Sequence, residues 1–173
     1  GRKLDIVSGG ASSSYMRVLD GNIPEGINNL RIGEEILLPQ DLLYLYGYPL
    51  NGMYDDVFTL ESQVIEVRDK PSYPVGELGV DAFGHKPVYI DKGIRRKVLL
   101  AMGHLDYCDY KDLIPQDKDV EILGCSSDHT IMDVTDAPRT YHVGDIVKFN
   151  LIYGTNLFLC HSQNVQKVFI DEE

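Results

Sequence analysis

The chain has 173 residues, with 27 acidic and 16 basic side chains and a formal net charge of −11. That balance excludes a nucleic-acid partner, since phosphate recognition needs clustered cations; the one dense basic run, Arg95-Arg96-Lys97, sits inside an apparent strand as a solvated, ion-paired face. At 43% hydrophobic and 25% charged the composition is that of an ordinary globular protein, with no apolar stretch near the ~20 residues that span a bilayer. Nothing at Gly1-Arg2-Lys3-Leu4 reads as a signal peptide, so the expected setting is cytoplasmic and off the membrane. Cys108, Cys125 and Cys160 are odd in number and widely spaced, which fits reduced thiols. His85, His104, His129, His142 and His161 show no metal-ligand spacing, and no metal is expected.

In chain order, Leu4-Asp5-Ile6-Val7 reads as a short strand, Ser8-Gly9-Gly10-Ala11-Ser12-Ser13 as a glycine-serine turn, and Ser13 to Asp20 as a helix. Asn28-Asn29-Leu30-Arg31-Ile32-Gly33-Glu34-Glu35-Ile36-Leu37-Leu38 then puts an arginine and a glycine at the end of a second strand, followed by a helical run. Small-residue turns after strands expose backbone N–H groups that suit a phosphate. Two such strand ends in succession predict neighbours in a β/α barrel, where ligands sit at the C-terminal ends of the strands. Asp41 is placed to cap a short helix from Leu42 to Tyr46 that ends at Gly47. The turn Tyr48-Pro49-Leu50-Asn51-Gly52 marks a boundary between residues 1–50 and 51–173.

Beyond it the periodicity changes to two. Val57 to Val67 is a long strand stopped at Asp69-Lys70-Pro71. Further strands are predicted over Pro87 to Ile90, Ile94 to Ala101, Val120 to Leu123, Thr130 to Val134 and Ile146 to Leu151. Thr155 is expected to cap a helix to Gln163, with a closing strand from Val165 to Ile170. The fold class is therefore mainly β with some α: a small β-barrel or sandwich preceded by the last strand-helix units of a β/α barrel.

These segments resemble the pyridoxal-phosphate racemases of the alanine racemase type, closest to the branch that includes ornithine racemases. The resemblance rests on the Ser8–Ser13 turn followed by Asn28–Leu38, and extends through Gly76–Gly84, Gly93–Arg96, Glu121–His129, Asp133–Asp136, Val143–Asp145 and Asn150–Gly154. It implies that residues 1–50 are the cofactor-binding edge of the barrel and 51–173 the C-terminal β-domain. It also implies that the lysine that holds the cofactor belongs to a first half of the protein, because no lysine of this chain matches it; the chain alone is expected to be inactive.

By the same resemblance Arg31 approaches the pyridine nitrogen of pyridoxal 5'-phosphate, where a second positive charge disfavours protonation. Ser12, with the backbone N–H groups of Gly33 and Glu34, is the phosphate candidate set, Ser8 or Ser13 being substitutes for Ser12. Tyr153 matches a tyrosine that returns from the β-domain to the phosphate. The loop Gly124-Cys125-Ser126-Ser127-Asp128-His129 is the segment expected to reach into a partner's site in a homodimer, or else it is simply a tight turn before a strand. Alanine racemase proper uses a tyrosine as its second acid/base, and none stands at the matching place, Gly76–Phe83. Asp81, Cys125 and Asp128 are therefore the candidates for catalysis in trans, with Ser127, His129 and Glu77 on the substrate side. A carboxylate there suits the ammonium of a basic amino acid such as ornithine. The competing expectation is a non-catalytic β-barrel module for protein contacts or amino-acid sensing.

Overall fold

The computed structural model describes residues 3–80, 84 and 88–170. Two compact units are present: residues 1–59 with 150–153, and residues 60–149 with 154–173.

The first unit is built on two short parallel strands, β1 (Ser8–Ala11) and β2 (Asn29–Arg31), paired through Ser8 with Asn29 and Ala11 with Arg31. The strand thus falls on the glycine-serine segment and not on Leu4 to Val7. Over 5–7 the ladder is replaced by one side chain. Asn28 Oδ1 accepts from the Val7 amide at 2.8 Å, and its Nδ2 donates to the Asp5 carbonyl at 2.8 Å. Packing explains the two glycines of β1. A Cβ on Gly9 would lie 2.2 Å from the Ile27 side chain, and Gly10, at φ +147°, would meet Ser14 Oγ at 2.2 Å. A 3-10 turn at 12–14 leads into α1 (Tyr15–Leu19). After β2 come α2 (Glu34–Leu37) and α3 (Gln40–Tyr44). Asp41 lies inside α3, not at its cap, and is buried. Gly47, at φ +73°, donates to the Leu43 carbonyl and ends the turn that follows.

The second unit is mainly β. Its strands are β3 (Thr59–Pro71), β4 (Ile94–Leu100), β5 (Ile114–Pro115), β6 (Glu121–Cys125), β7 (Thr130–Asp133) and β8 (Ile146–Asn150). They form one sheet in the order β5-β8-β3-β4-β7-β6, curled into an antiparallel half-barrel. Alternation along β3 turns Leu60, Ser62 and Val64 inward while Thr59, Glu61 and Gln63 stay exposed. Val98, Leu100, Met132, Val147 and Phe149 are buried with them. β3 runs past the predicted stop because Pro71, at its very end, still pairs with Ile94. A register shift between Ile122 and Gly124 in β6 coincides with φ +154° at Gly124, a bulge that only glycine makes cheaply.

Other expectations fail. Residues 88–90 and 165–170 form no strand: Val88 and Phe169 are almost wholly exposed, so no sheet face holds them. Pro87 lies outside the described residues. The last helix, α5, spans Tyr153–His161, so Thr155 is interior to it; its buried hydroxyl donates to the Asp112 carbonyl at 3.4 Å. A short helix, α4 (His104–Tyr107), has no counterpart in the sequence reading.

Candidate functional site

The two strand ends of the first unit come together. Ser12 Oγ accepts from the Glu34 amide at 3.1 Å and, at a longer 3.4 Å, from the Gly33 amide. Arg31 Nη1 donates to Ser8 Oγ at 2.6 Å. Ser8 and Ser12, alternatives in the sequence, therefore have separate places, one on the guanidinium and one on the amides; Ser13 is exposed. Gly33 sits at φ −130°, and a Cβ there would meet nothing within 4 Å. Neither backbone conformation nor packing demands glycine at this position; around it two backbone amides rest on the Ser12 hydroxyl and a guanidinium on Ser8. That donor set fits a phosphorylated cofactor.

Three carboxylates stand beside it. Glu34 is pushed up to about 7, first by burial, then by its hydrogen bond to Asp41 and by the charges of Asp41 and Glu35. Asp41 Oδ1 in turn accepts from the Tyr153 amide at 3.4 Å. Asp41, read from the sequence as a cap, instead ties Glu34 to Tyr153; burial was the missing information. Tyr153 opens α5 with its side chain about half exposed, so it is neither a strand residue nor a core one.

A raised carboxyl has a definite signature. The protonated form is bound more tightly by the fold, so its contribution is complete below the ordinary 4.5 and is lost as pH rises through about 7. The stability of the chain should therefore decline across neutral pH more steeply than that of Glu34→Gln. Carbon-detected NMR of the Glu34 carboxyl checks this; a titration at the ordinary carboxylate value overturns it.

In the second unit the loop after β6 is anchored on α4. His104 N donates to Ser126 O at 2.9 Å and Leu105 N to Ser127 O at 3.1 Å. The turn is closed by Ser126 N on His129 O at 2.8 Å and by His129 N on Ser126 Oγ at 3.1 Å. Ser127 and Asp128 are exposed, and His129 is half-buried. Beneath the loop Thr130 Oγ1 gives its proton to Met102 O at 2.8 Å, so Tyr107 must donate in its 2.6 Å contact with Thr130. Burial pushes the Tyr107 hydroxyl well above its ordinary value, and Cys125 lies in hydrogen-bond contact with it. Cys125 thus faces Tyr107 while Ser127 and Asp128 face solvent. Sequence reasoning missed Tyr107 and Thr130, which carry no motif. Glu77 lies in an exposed coil, and Asp81 is outside the described residues. Among the described residues no cluster of metal-ligating side chains occurs, and no helix is long and apolar enough to cross a membrane.

No family model matches the chain. It is 50% identical over 165 residues to an ornithine racemase of Acetoanaerobium sticklandii, covering 95% of this chain and 46% of that protein. It is 42% identical over 169 residues to a lysine racemase of Thermotoga maritima, covering 98% and 47%. The chain thus spans about half the length of the curated relatives it matches. Among solved structures, the biosynthetic alanine racemase of Pseudomonas aeruginosa superposes with a TM-score of 0.52 at 18% identity, over 94% of this chain and 47% of that one. The D-threonine aldolase of Filomicrobium marinum gives 0.52 at 15%, over 90% and 35%. At such identities these two speak for the fold alone.

Proposed function

We propose that this chain, a relative of the C-terminal part of ornithine and lysine racemases with the alanine racemase fold, forms the phosphate side and the β-domain of a pyridoxal-phosphate-dependent amino-acid racemase. The observation that carries the reading is the convergence of Ser12, the Gly33 and Glu34 amides and Arg31 at adjacent parallel strand ends. Ornithine and lysine, named for the two relatives, make a basic amino acid the proposed substrate. The competing module for protein contacts or sensing has no observation in its favour.

When bound, pyridoxal phosphate withdraws electrons from the substrate's α-carbon and makes its proton labile. Ser12, with the Gly33 and Glu34 amides, would hold the phosphate, with Tyr153 at the start of α5 as a further ligand. The raised Glu34 carboxyl lowers the repulsion an ionised side chain would impose on that phosphate. Arg31, oriented by Ser8, would stand at the ring nitrogen and disfavour its protonation. The exposed Ser127-Asp128 turn, fixed on α4, is the part offered to a second protomer of a homodimer, where Asp128 or Asp81 would supply or remove a proton, Cys125 being turned to Tyr107, and Ser127, His129 and Glu77 would orient the substrate.

The test is enantiomer analysis. The gene product carrying these residues, supplied with pyridoxal phosphate and L-ornithine, L-lysine or L-alanine, should form the D-isomer of at least one. Arg31→Glu should lower kcat/KM by roughly a hundredfold, the scale of losing one oriented charge at a reacting centre, and should raise transamination relative to racemisation. No D-isomer from any of the three overturns the reading. Unchanged rates in Arg31→Glu overturn the placement of Arg31.

A further inference from the structure

Tyr153 is the one member of the proposed phosphate set that lies outside residues 1–59, and its own side chain does not fix it. The residue is 48% exposed, and among the described residues its hydroxyl makes no hydrogen bond. Its backbone amide, however, donates to Asp41 Oδ1 at 3.4 Å. Asp41 is buried in α3, at 7% exposure, and its carboxyl is hydrogen-bonded to that of Glu34. The Glu34 amide rests in turn on Ser12 Oγ at 3.1 Å. All four residues belong to the first unit, so one buried carboxylate links the start of α5 to the strand-end amides.

We propose that Asp41 is a positioning residue: by taking the Tyr153 amide and the Glu34 carboxyl together, it holds Tyr153 beside the hydroxyl and amides that meet the phosphate. The proposal rests on the phosphate reading given above. Charge supports the arrangement. The positive end of the α5 dipole favours a carboxylate at the first amide, while two ionised carboxylates side by side repel, so the Glu34–Asp41 bond needs a proton. Glu34 supplies it, being pushed up to about 7 by burial first and by Asp41 and Glu35 next. The groups that face Glu34 are Glu35 on its own helix and Asp41 on α3, both acidic; Arg31, on the preceding strand, is turned to Ser8. Among the described residues no lysine, arginine or histidine ion-pairs with any of the three carboxylates, so no cation replaces the proton once it leaves. The tie is therefore made below about 7 and lost above it.

The experiment is equilibrium dialysis of the gene product carrying these residues, freed of cofactor, against pyridoxal phosphate and against pyridoxal, the same ring without its phosphate. The ratio of the two affinities reads the phosphate contacts alone. Tyr153→Phe should lower that ratio roughly tenfold, the scale of one hydrogen bond to a charged group, and Asp41→Ala should lower it as much. The double variant should lose no more than either, because both act on one contact; additive losses overturn the proposal. A wild type that holds pyridoxal as tightly as pyridoxal phosphate overturns the phosphate reading and this proposal with it. A strong wild-type preference left intact by Asp41→Ala overturns this proposal alone. Should Asp41→Ala not fold, the Tyr153 amide resonance of protein labelled with 15N-tyrosine decides. It should titrate near neutral pH in the wild type and stay still in Glu34→Gln, whose side-chain amide donates to Asp41 without a shared proton. A Tyr153 amide indifferent to pH in the wild type overturns the proposal.

Discussion

Adding a single methyl group at Gly103 should destabilise the chain by about 3 kcal/mol, the upper end of what overpacking costs. A Cβ there would lie 2.3 Å from the Ser127 carbonyl oxygen and 2.4 Å from the Asp128 amide. Both are backbone atoms, so no side chain can rotate away. The neighbouring bonds, Gly103 N on Asp106 Oδ2 at 3.0 Å and the His104 and Leu105 amides on the loop carbonyls, fix the same approach from both sides. Gly103→Ala must therefore push the Ser126–His129 turn off α4 or strain it. Gly154→Ala is the matched control: it lies within α5, a Cβ there meets nothing, and the change should be neutral or stabilise by up to about 1 kcal/mol. Denaturant unfolding of the two variants measures the contrast. Equal midpoints would mean that the turn is not seated on α4.

Asp133→Ala should cost a comparable amount, about 3 kcal/mol. Asp133 is 4% exposed, accepts from Arg95 Nε at 2.8 Å, and takes two further bonds from the Thr135 amide and hydroxyl at 3.0 and 2.7 Å. Its removal leaves a largely buried guanidinium with only Asp136 and strips Thr135 of two bonds, leaving its hydroxyl only the Arg96 amide. Burial alone would raise the Asp133 carboxyl, but Arg95 and Thr135 outweigh it and hold it below the ordinary 3.8. A depressed carboxyl stabilises the fold above its unfolded value, and that stability is lost as pH falls through the folded one. The variant should thus be weaker at neutral pH yet lose less on acidification. A parallel fall of wild type and Asp133→Ala towards low pH would show that the pair is not the acid-sensitive element.

Most of the β-domain was legible because inward and outward residues alternate: β4, β6, β7 and β8 lie within a residue or two of where the period-two pattern puts them, while β3 runs four residues past its expected end. The failures have a common origin in what a local pattern omits. Val88 and Phe169 have strand composition but no neighbour to pair with. Leu4 to Val7 looks like a strand because it is apolar, yet the pairing partner meets Ser8 to Ala11, and a distant asparagine holds the apolar stretch. Asp41 and Thr155 have the chemistry of helix caps and were read as such; tertiary burial gave both another partner. At the candidate site the glycine-serine turn drew notice to Ser8 and Ser12 and the resemblance to Arg31, but the assignment of one serine to the guanidinium and the other to the amides is geometric. Tyr107, Thr130 and Glu35 announced nothing, since a buried hydroxyl or carboxylate is defined by its surroundings.

The first unit closes with residues 150–153, so that Asp41 waits for the amide of a residue 112 positions later. During synthesis, residues 1–59 lack that closing segment until the 90 or so residues between them have been made. The cost of bringing the two ends together grows only with the logarithm of the intervening length, so the delay is one of time more than of stability. During it, Leu4, Ile6, Ile36 and Leu45, exposed in these 173 residues, offer an unguarded apolar surface. This makes residues 1–59 a segment in need of protection until residues 150–153 have been made. A circular permutant joining the segment after Phe149 directly to the first unit should fold faster from denaturant, at nearly unchanged stability.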